Sequence, residues 1–171
     1  GSCGRWGSRG ACRAPVPLYV RSAQAEERVR RAALAGRTVR LRDLAAADVP
    51  AVAAVERRVF SDPWPESCFH SELAQANTWA RVAEQDGALA GYLLAWLGAG
   101  TGHVGNLAVV PEARRHGVAR ALLADLFERA RAAGVARITL EVRAANFAAQ
   151  ALYRAHGFRL AGLRRGYYRD T

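Results

Sequence analysis

The spacing of apolar and polar positions divides the chain into recognisable elements. In TVRLRDL (Thr38 to Leu44), Val39 and Leu41 alternate with Arg40 and Arg42, the period of a half-buried strand. In RDLAAADVPAVAAVERRVF the period lengthens. Val52, Val55 and Val59 share one helical face, with Asp48 as N-cap and Pro50 in the first turn. DPWPESCFHSELAQA predicts a turn and a second helix, opened by Pro65 and Glu66. TWARVAEQDGALAGYLLAWLG predicts two strands around Asp86-Gly87, a dipeptide that favours tight hairpin turns. GHVGNLAVV is a further strand, stopped before Pro111. Ala119, Leu122, Leu123, Leu126, Phe127 and Ala130 then recur with helical period as far as Gly134. ARITLEVR reads as a buried strand, NFAAQALYRAHG as a helix ended by Gly157, and FRLAGLRRGYY as a last strand. The order β-α-α-β-β-β-α-β-α-β contains no internal repeat. Its late strand–helix–strand passages require an α/β fold whose sheet is at least partly parallel.

The front of the chain lacks this patterning. GSCGRWGSRGACRAP is rich in Gly, Ser and Arg and is expected to be disordered, and SAQAEERVRRAALAG (Ser22 to Gly36) reads as a short exposed helix. Residues 1–37 are therefore expected to be a leader, or the remnant of a fused upstream domain, and residues 38–171 the compact domain. The length of 171 residues suits one domain with a sizeable core.

Charge changes this picture only in part. The net charge of +10 favours an anionic partner. All 25 basic residues are arginine, however, and compositional bias explains that as readily as function does. Residues 1–37 hold eight of those arginines against Glu26 and Glu27, so more than half of the excess lies in the leader. The folded part is only mildly basic, and nucleic-acid binding by it is not expected. Cys3, Cys12 and Cys68 have neither CxxC nor His-paired spacing, so reduced thiols are expected, with Cys68 a buried apolar residue. No apolar run approaches a membrane span, and no secretory signal precedes the domain. A cytoplasmic protein without membrane partners is expected. The chain has no methionine and reads as a processed, tagged or excerpted product.

One stretch carries candidate chemistry. In NLAVVPEARRHGVARALLADL (Asn106 to Leu126), a strand ends at a proline, Arg114, Arg115 and His116 follow, and Gly117 opens the long helix. A helix N-terminus presents unpaired backbone N–H groups and a partial positive charge, to which a phosphate adds hydrogen bonds and dipole attraction. Glycine lets an anion approach the backbone, and arginine adds forked donors. The loop is neither a Walker A sequence, which needs a lysine, nor GxGxxG. It reads as a pyrophosphate cradle or as a solvated basic turn.

R-x-x-G-x-A after NLAV-x-P resembles the acetyl-CoA signature of the GCN5-related N-acetyltransferases (GNAT family). LEVRAANFAAQALYRAHGF (Leu140 to Phe158), with DPWPESCF and RRGYY, resembles the bacterial ribosomal-protein alanine N-acetyltransferases within it. The similarity runs from about Thr38 to Asp170. It implies a mixed central sheet with helices on both faces, acetyl-CoA as co-substrate, no metal, and a protein N-terminus, such as that of a ribosomal protein starting with alanine, as acceptor.

The resemblance also implies site residues. Leu107, Ala108 and Val109 would offer their backbone to the pantetheine arm. Arg115, His116, Gly117, Val118, Ala119 and Arg120 would hold the pyrophosphate, mainly through main-chain N–H groups. Asn146 matches a cofactor-contacting asparagine and is also a good helix N-cap. Glu141, the only acid in RITLEVR, matches the general base; the alternative is a salt bridge to Arg143 or Arg137. Tyr153, two helical turns beyond Asn146, matches the acid that protonates the departing thiolate; the alternative is core packing. Tyr167 and Tyr168 would shape the acceptor site and Trp64 would line it, although such aromatics often only pack. His70, His103 and His156 suggest no role.

Two departures stand out. The family has one more strand after RGYY, which this sequence lacks, and its domain starts close to its first strand. PLYVRSAQAEE (Pro17 to Glu27) resembles the C-terminal tail of the accessory protein of tRNA threonylcarbamoyladenosine synthesis, which suggests a fusion with that protein. Two other functions compete. One keeps the fold and acetylates lysine side chains or small amines. The other is a non-enzymatic module that binds RNA through the Arg-rich leader.

Overall fold

The computed structural model describes residues 15–22 and 38–165. Seven strands form one sheet: β1 (Pro15–Ser22), β2 (Val39–Asp43), β3 (Thr78–Gln85), β4 (Ala88–Gly98), β5 (Thr101–Val109), β6 (Arg137–Glu141) and β7 (Arg159–Arg165). The helices are α1 (Val49–Val59), α2 (Glu66–Leu73), α3 (Val118–Ala132) and α4 (Phe147–Ala155). From residue 38 onward every element predicted from periodicity is present and in order. The spatial order is β2-β3-β4-β5-β6-β1-β7, and only the β5–β6 pairing is parallel.

Local rules account for most boundaries. Asp86 and Gly87 both have positive φ, at 54° and 79°, as a tight hairpin turn of the primed type requires. Asp48 is the N-cap residue of α1, but its carboxylate accepts from the Ala45 N–H at 2.8 Å and pairs with Arg42. It therefore secures the entry to the helix rather than capping the helix's own N–H groups.

Helices cover both faces of the sheet, and β4 shows how. Tyr92 meets Phe69 of α2 edge-on at 5.7 Å and bonds Glu56 of α1. Its neighbour Gly91 faces the other way, where a Cβ would lie 3.2 Å from Val118 of α3. Alternation along a strand turns successive residues to opposite faces, so β4 is buried on both sides from Ala90 to Ala95. This explains its near-continuous apolar run.

The expected boundary at residue 38 is corrected at one place. Pro15–Ser22 is a strand inside the sheet, antiparallel to both β6 and β7. Its buried positions are Pro17, Tyr19 and Arg21, with Leu18 and Val20 only half-buried. Arg21 is accommodated because its guanidinium lies 3.6 Å from the Phe127 ring centroid. Pairing with strands more than a hundred residues away, not a local signal, sets this element. The remainder of the expected leader lies outside the described residues, as does most of the helix expected over Ser22–Gly36. The Pro17–Ser22 part of the resemblance to the tRNA-modification protein forms this strand. Cys68 is buried as expected. No helix among the described residues is long and apolar enough to cross a membrane.

Candidate active site

The site begins where two parallel strands part. β5 and β6 pair from Thr101↔Arg137 to Val104↔Leu140 and no further. The next residue of β5, Gly105, interrupts its register with β4 between Val104 and Asn106. A β-bulge bends its strand and is common beside active sites. Gly105 is required there because a Cβ would lie 2.4 Å from the Trp96 ring. Beyond the bulge, β5 keeps β4 as partner, and among the described residues no strand pairs with its other edge.

Strand alternation decides which groups face that opening. The Val110 N–H donates to the Ala90 carbonyl of β4 at 2.9 Å. Residues two apart in an antiparallel strand point their N–H and C=O the same way, so Ala108 also faces β4. Leu107 and Val109 face the opening. Of the three residues expected to offer backbone there, the geometry brings two and turns Ala108 away. Arg114 adds a contact not expected from the sequence, its Nε donating to the Val109 carbonyl at 3.3 Å.

The opening leads to the N-terminus of α3. Gly117 is the N-cap with φ of 87°, and Arg115 has φ of 67°. A Cβ on Gly117 would meet nothing within 4 Å, so glycine is favoured there by backbone conformation rather than by space. The first intrahelical bond is from the Ala121 N–H to the Gly117 carbonyl at 2.9 Å, which leaves the N–H groups of Val118, Ala119 and Arg120 ahead of it. Val118 is buried on Gly91 and anchors this turn, while Arg114, Arg115, His116 and Arg120 are exposed around it. Helix dipole, forward N–H groups and arginines thus converge where an anion would sit.

Glu141 is the last residue of β6, one position past the final rung shared with β5, and is half-buried. Asn146 is the exposed N-cap of α4, its side chain accepting from the Ala149 N–H at 3.0 Å. The loop before it is tied down by Gln150, whose amide donates to the carbonyls of Arg143 at 3.3 Å and Ala144 at 2.7 Å. Tyr153 is buried, with its ring edge-on to Phe158 at 5.6 Å. Glu141, Asn146 and Tyr153 therefore follow the open end of β6 in a single turn of chain and one helix.

A row of aromatic rings approaches from the α1–α2 side. Trp64 lies 5.6 Å from Phe69 and 6.4 Å from Trp96, and Trp96 stacks on His103 at 5.8 Å. His103 bonds Thr139 of β6 at 2.8 Å, and Thr139 shares a strand face with Glu141. A chain of side-chain contacts thus joins Trp64 to the face of β6 that carries Glu141. His103, which suggested no role in the sequence, is a link in it. Tyr167 and Tyr168 lie outside the described residues. Among the described residues no group of three or more His, Cys, Asp or Glu is placed to hold a metal ion.

Residues 49–158 match the Acetyltransferase (GNAT) family. The chain belongs to that family. The [ribosomal protein bS18]-alanine N-acetyltransferase of Escherichia coli K12 is 37% identical over 124 residues, which cover 72% of this chain and 83% of that one. The N-alpha-acetyltransferase RimI of Mycobacterium tuberculosis is 39% identical over 138 residues, covering 74% and 82%. The crystal structure of the ribosomal-protein-S18-alanine N-acetyltransferase from Escherichia coli superposes with a TM-score of 0.72 at 35% identity, covering 78% of this chain and 86% of that one. The GNAT fold expected from the resemblance is thereby established, including its mixed sheet.

Sequence reasoning missed Glu56. It is 1% exposed, and burial raises its carboxyl pKa although three hydrogen bonds oppose that shift. Its Oε1 accepts from the Trp64 N–H at 3.1 Å and the Asn106 amide at 3.0 Å, and Oε2 accepts from the Tyr92 hydroxyl. A signal was present: Glu56 follows Val52 by four residues and precedes Val59 by three, on the apolar face of α1.

Proposed function

We propose that this protein transfers the acetyl group of acetyl-CoA to the N-terminal α-amine of a protein, with an alanine-starting ribosomal protein as the favoured acceptor. The observation that carries the reading is the parting of β5 from β6 directly beside the N-terminus of α3. An extended thioester fits such a slot, with its diphosphate at the helix end. The relatives named above act, by name, on ribosomal protein bS18 or on N-terminal α-amines.

Acetyl-CoA supplies the activated acetyl group as a thioester. Leu107 and Val109 offer main-chain groups to the pantetheine arm, and the N–H groups of Val118, Ala119 and Arg120 take the pyrophosphate. Arg115, His116 and Gly117 complete that loop. Asn146 uses its side-chain oxygen on α4 and presents its amide to the cofactor. The acceptor amine attacks the thioester carbon directly, so that a C–N bond forms and the C–S bond breaks. Glu141 receives the proton lost by the amine. An α-amine, with a pKa of about 7.7–8.0, demands far less of that base than a lysine at about 10.4. Tyr153 donates its phenolic proton toward the departing sulfur. Trp64, with Tyr167 and Tyr168, borders the acceptor.

The test is release of CoA thiol in the presence of an Ala-starting basic peptide, comparing wild type with Glu141→Gln. A rate loss of about 100-fold or more is expected for the variant. Equal rates would remove Glu141 from the mechanism.

A further inference from the structure

The buried carboxylate of Glu56 lies apart from the reacting groups, and its cost calls for an explanation. A charged group withdrawn from water is stable only if its oxygens are well satisfied. Here three neutral donors satisfy it, and among the described residues no cation pairs with it. The donors come from three different places. Tyr92 lies in the centre of β4, Asn106 follows the bulge of β5, and Trp64 lies in the loop between α1 and α2. Burial and the neighbouring carboxylate push the Tyr92 hydroxyl well above its usual pKa, so it remains a donor.

Two of these donors meet on one atom. Oε1 takes both the Trp64 N–H and the Asn106 amide. Asn106 immediately precedes Leu107, the first residue facing the opening. Trp64 starts the aromatic surface that leads through Trp96 and His103 to β6. The backbone of Asn106 is held separately by its pairing with Leu94, so β5 has its own support. Among the described residues no strand pairs with the α1–α2 loop. Pro63 and Trp64 are half-buried, and the Trp64 main chain is tied inward through Glu56.

We propose that Glu56 is a positioning residue for the acceptor: its carboxylate clamps the Trp64 loop to β5 and sets the acceptor surface at a fixed distance from the thioester strand. The inference rests on the acetyl-transfer reading for its kinetic consequence, but the clamp itself does not. Losing the clamp frees the loop while leaving the β4–β5 ladder intact. The acceptor should therefore suffer and the cofactor should not.

The decisive experiment uses the full chain with Glu56→Ala and Glu56→Gln. In Glu56→Gln the remaining oxygen still accepts from Trp64 and Asn106, and the Tyr92 hydroxyl turns to accept from the new amide. For Glu56→Ala, KM for an Ala-starting peptide is expected to rise about 10- to 100-fold, with KM for acetyl-CoA within about twofold of wild type. Glu56→Gln should recover most of that loss. Hydrogen exchange at the Trp64 amide provides a readout independent of turnover: protected in wild type and Glu56→Gln, and fast in Glu56→Ala. If wild type acetylates no amine, the functional reading fails while the exchange measurement still decides the clamp. Equal loss in the two variants, an acetyl-CoA KM that moves as far as the peptide KM, or a Trp64 amide protected equally in all three would overturn the proposal. Should Glu56→Ala fail to fold, Tyr92→Phe with Asn106→Ala takes its place. Tyr92→Phe should leave Trp64 exchange protected and Asn106→Ala should raise the peptide KM; the opposite pattern would sink the clamp.

Discussion

Replacing Gly91 by alanine should damage the cofactor slot without substituting any residue that lines it. A Cβ at Gly91 would lie 2.5 Å from the Ala108 carbonyl oxygen and 3.2 Å from the Val118 side chain. Neither neighbour can give freely. The first is backbone of β5, and the second anchors the N-terminal turn of α3. Relief requires β5 and α3 to move away from β4, and overpacking of this kind costs about 1–3 kcal/mol. For a domain of this size that corresponds to a fall in Tm of roughly 2–10 °C. The same displacement moves the edge of Leu107 and Val109 relative to the N–H groups of Val118 to Arg120. Because these two sets of donors hold opposite ends of one ligand, CoA affinity should fall about tenfold or more. Thermal unfolding and calorimetric CoA titration read the two effects. Gly98→Ala is the control, since its Cβ would meet nothing within 4 Å. It should leave Tm unchanged or raise it slightly by restricting the unfolded chain. Gly91→Ala with wild-type Tm and wild-type CoA affinity would refute the argument that β4, β5 and α3 are in tight contact at this point.

Four further outcomes follow from the same geometry. Gly117→Ala places a side chain at φ of 87°, so it should cost about 1–2 kcal/mol in denaturant titration. Asn146→Ala removes the acceptor for the Ala149 N–H, and should cost about 1 kcal/mol of stability together with a measurable loss of CoA affinity. Glu56, whose folded pKa is raised above the ordinary carboxylate value by burial, contributes stability that is full below that ordinary value and is lost as pH rises through the raised one. Glu56→Gln lacks this slope, so its stability relative to wild type should improve from about pH 4.5 toward neutrality in urea titrations; a constant difference would contradict it. Asp48, whose pKa is lowered first by its hydrogen bond to Arg42, should behave oppositely, its contribution disappearing as pH falls.

The elements from residue 38 onward were legible because each is dictated locally. Asp86-Gly87 demands its turn, Gly117 and Gly134 bracket α3, and Val52, Val55 and Val59 mark the inner face of α1. Strand β1 was not legible. Its apolar residues Leu18 and Val20 occupy the half-buried face, while the fully buried face carries Pro17, Tyr19 and an arginine. The Phe127 ring, brought there by tertiary structure, helps to make Arg21 tolerable on that side. In the candidate site, the helix mouth at Gly117 and the isolated acid Glu141 on its strand were readable, because both are local features of the sequence. The orientation of Ala108 was not readable, since it depends on strand phase beyond a bulge that only the Gly105–Trp96 contact explains. Glu56 was hidden by its neighbours Arg57 and Arg58, which make VERR look like a solvated helix turn. Its partners, 8, 36 and 50 residues away, come together only in the folded sheet.

The central claim is that the acceptor is a protein N-terminal amine. It is tested most directly by offering wild-type protein and acetyl-CoA two versions of one Ala-starting basic peptide. One has a free N-terminus with its lysines blocked, and the other a blocked N-terminus with a free lysine. Mass spectrometry should find a single acetyl group on the first peptide, at the α-amine, and none on the second. Efficient acetylation of the second peptide, with the first left unmodified, would contradict the account.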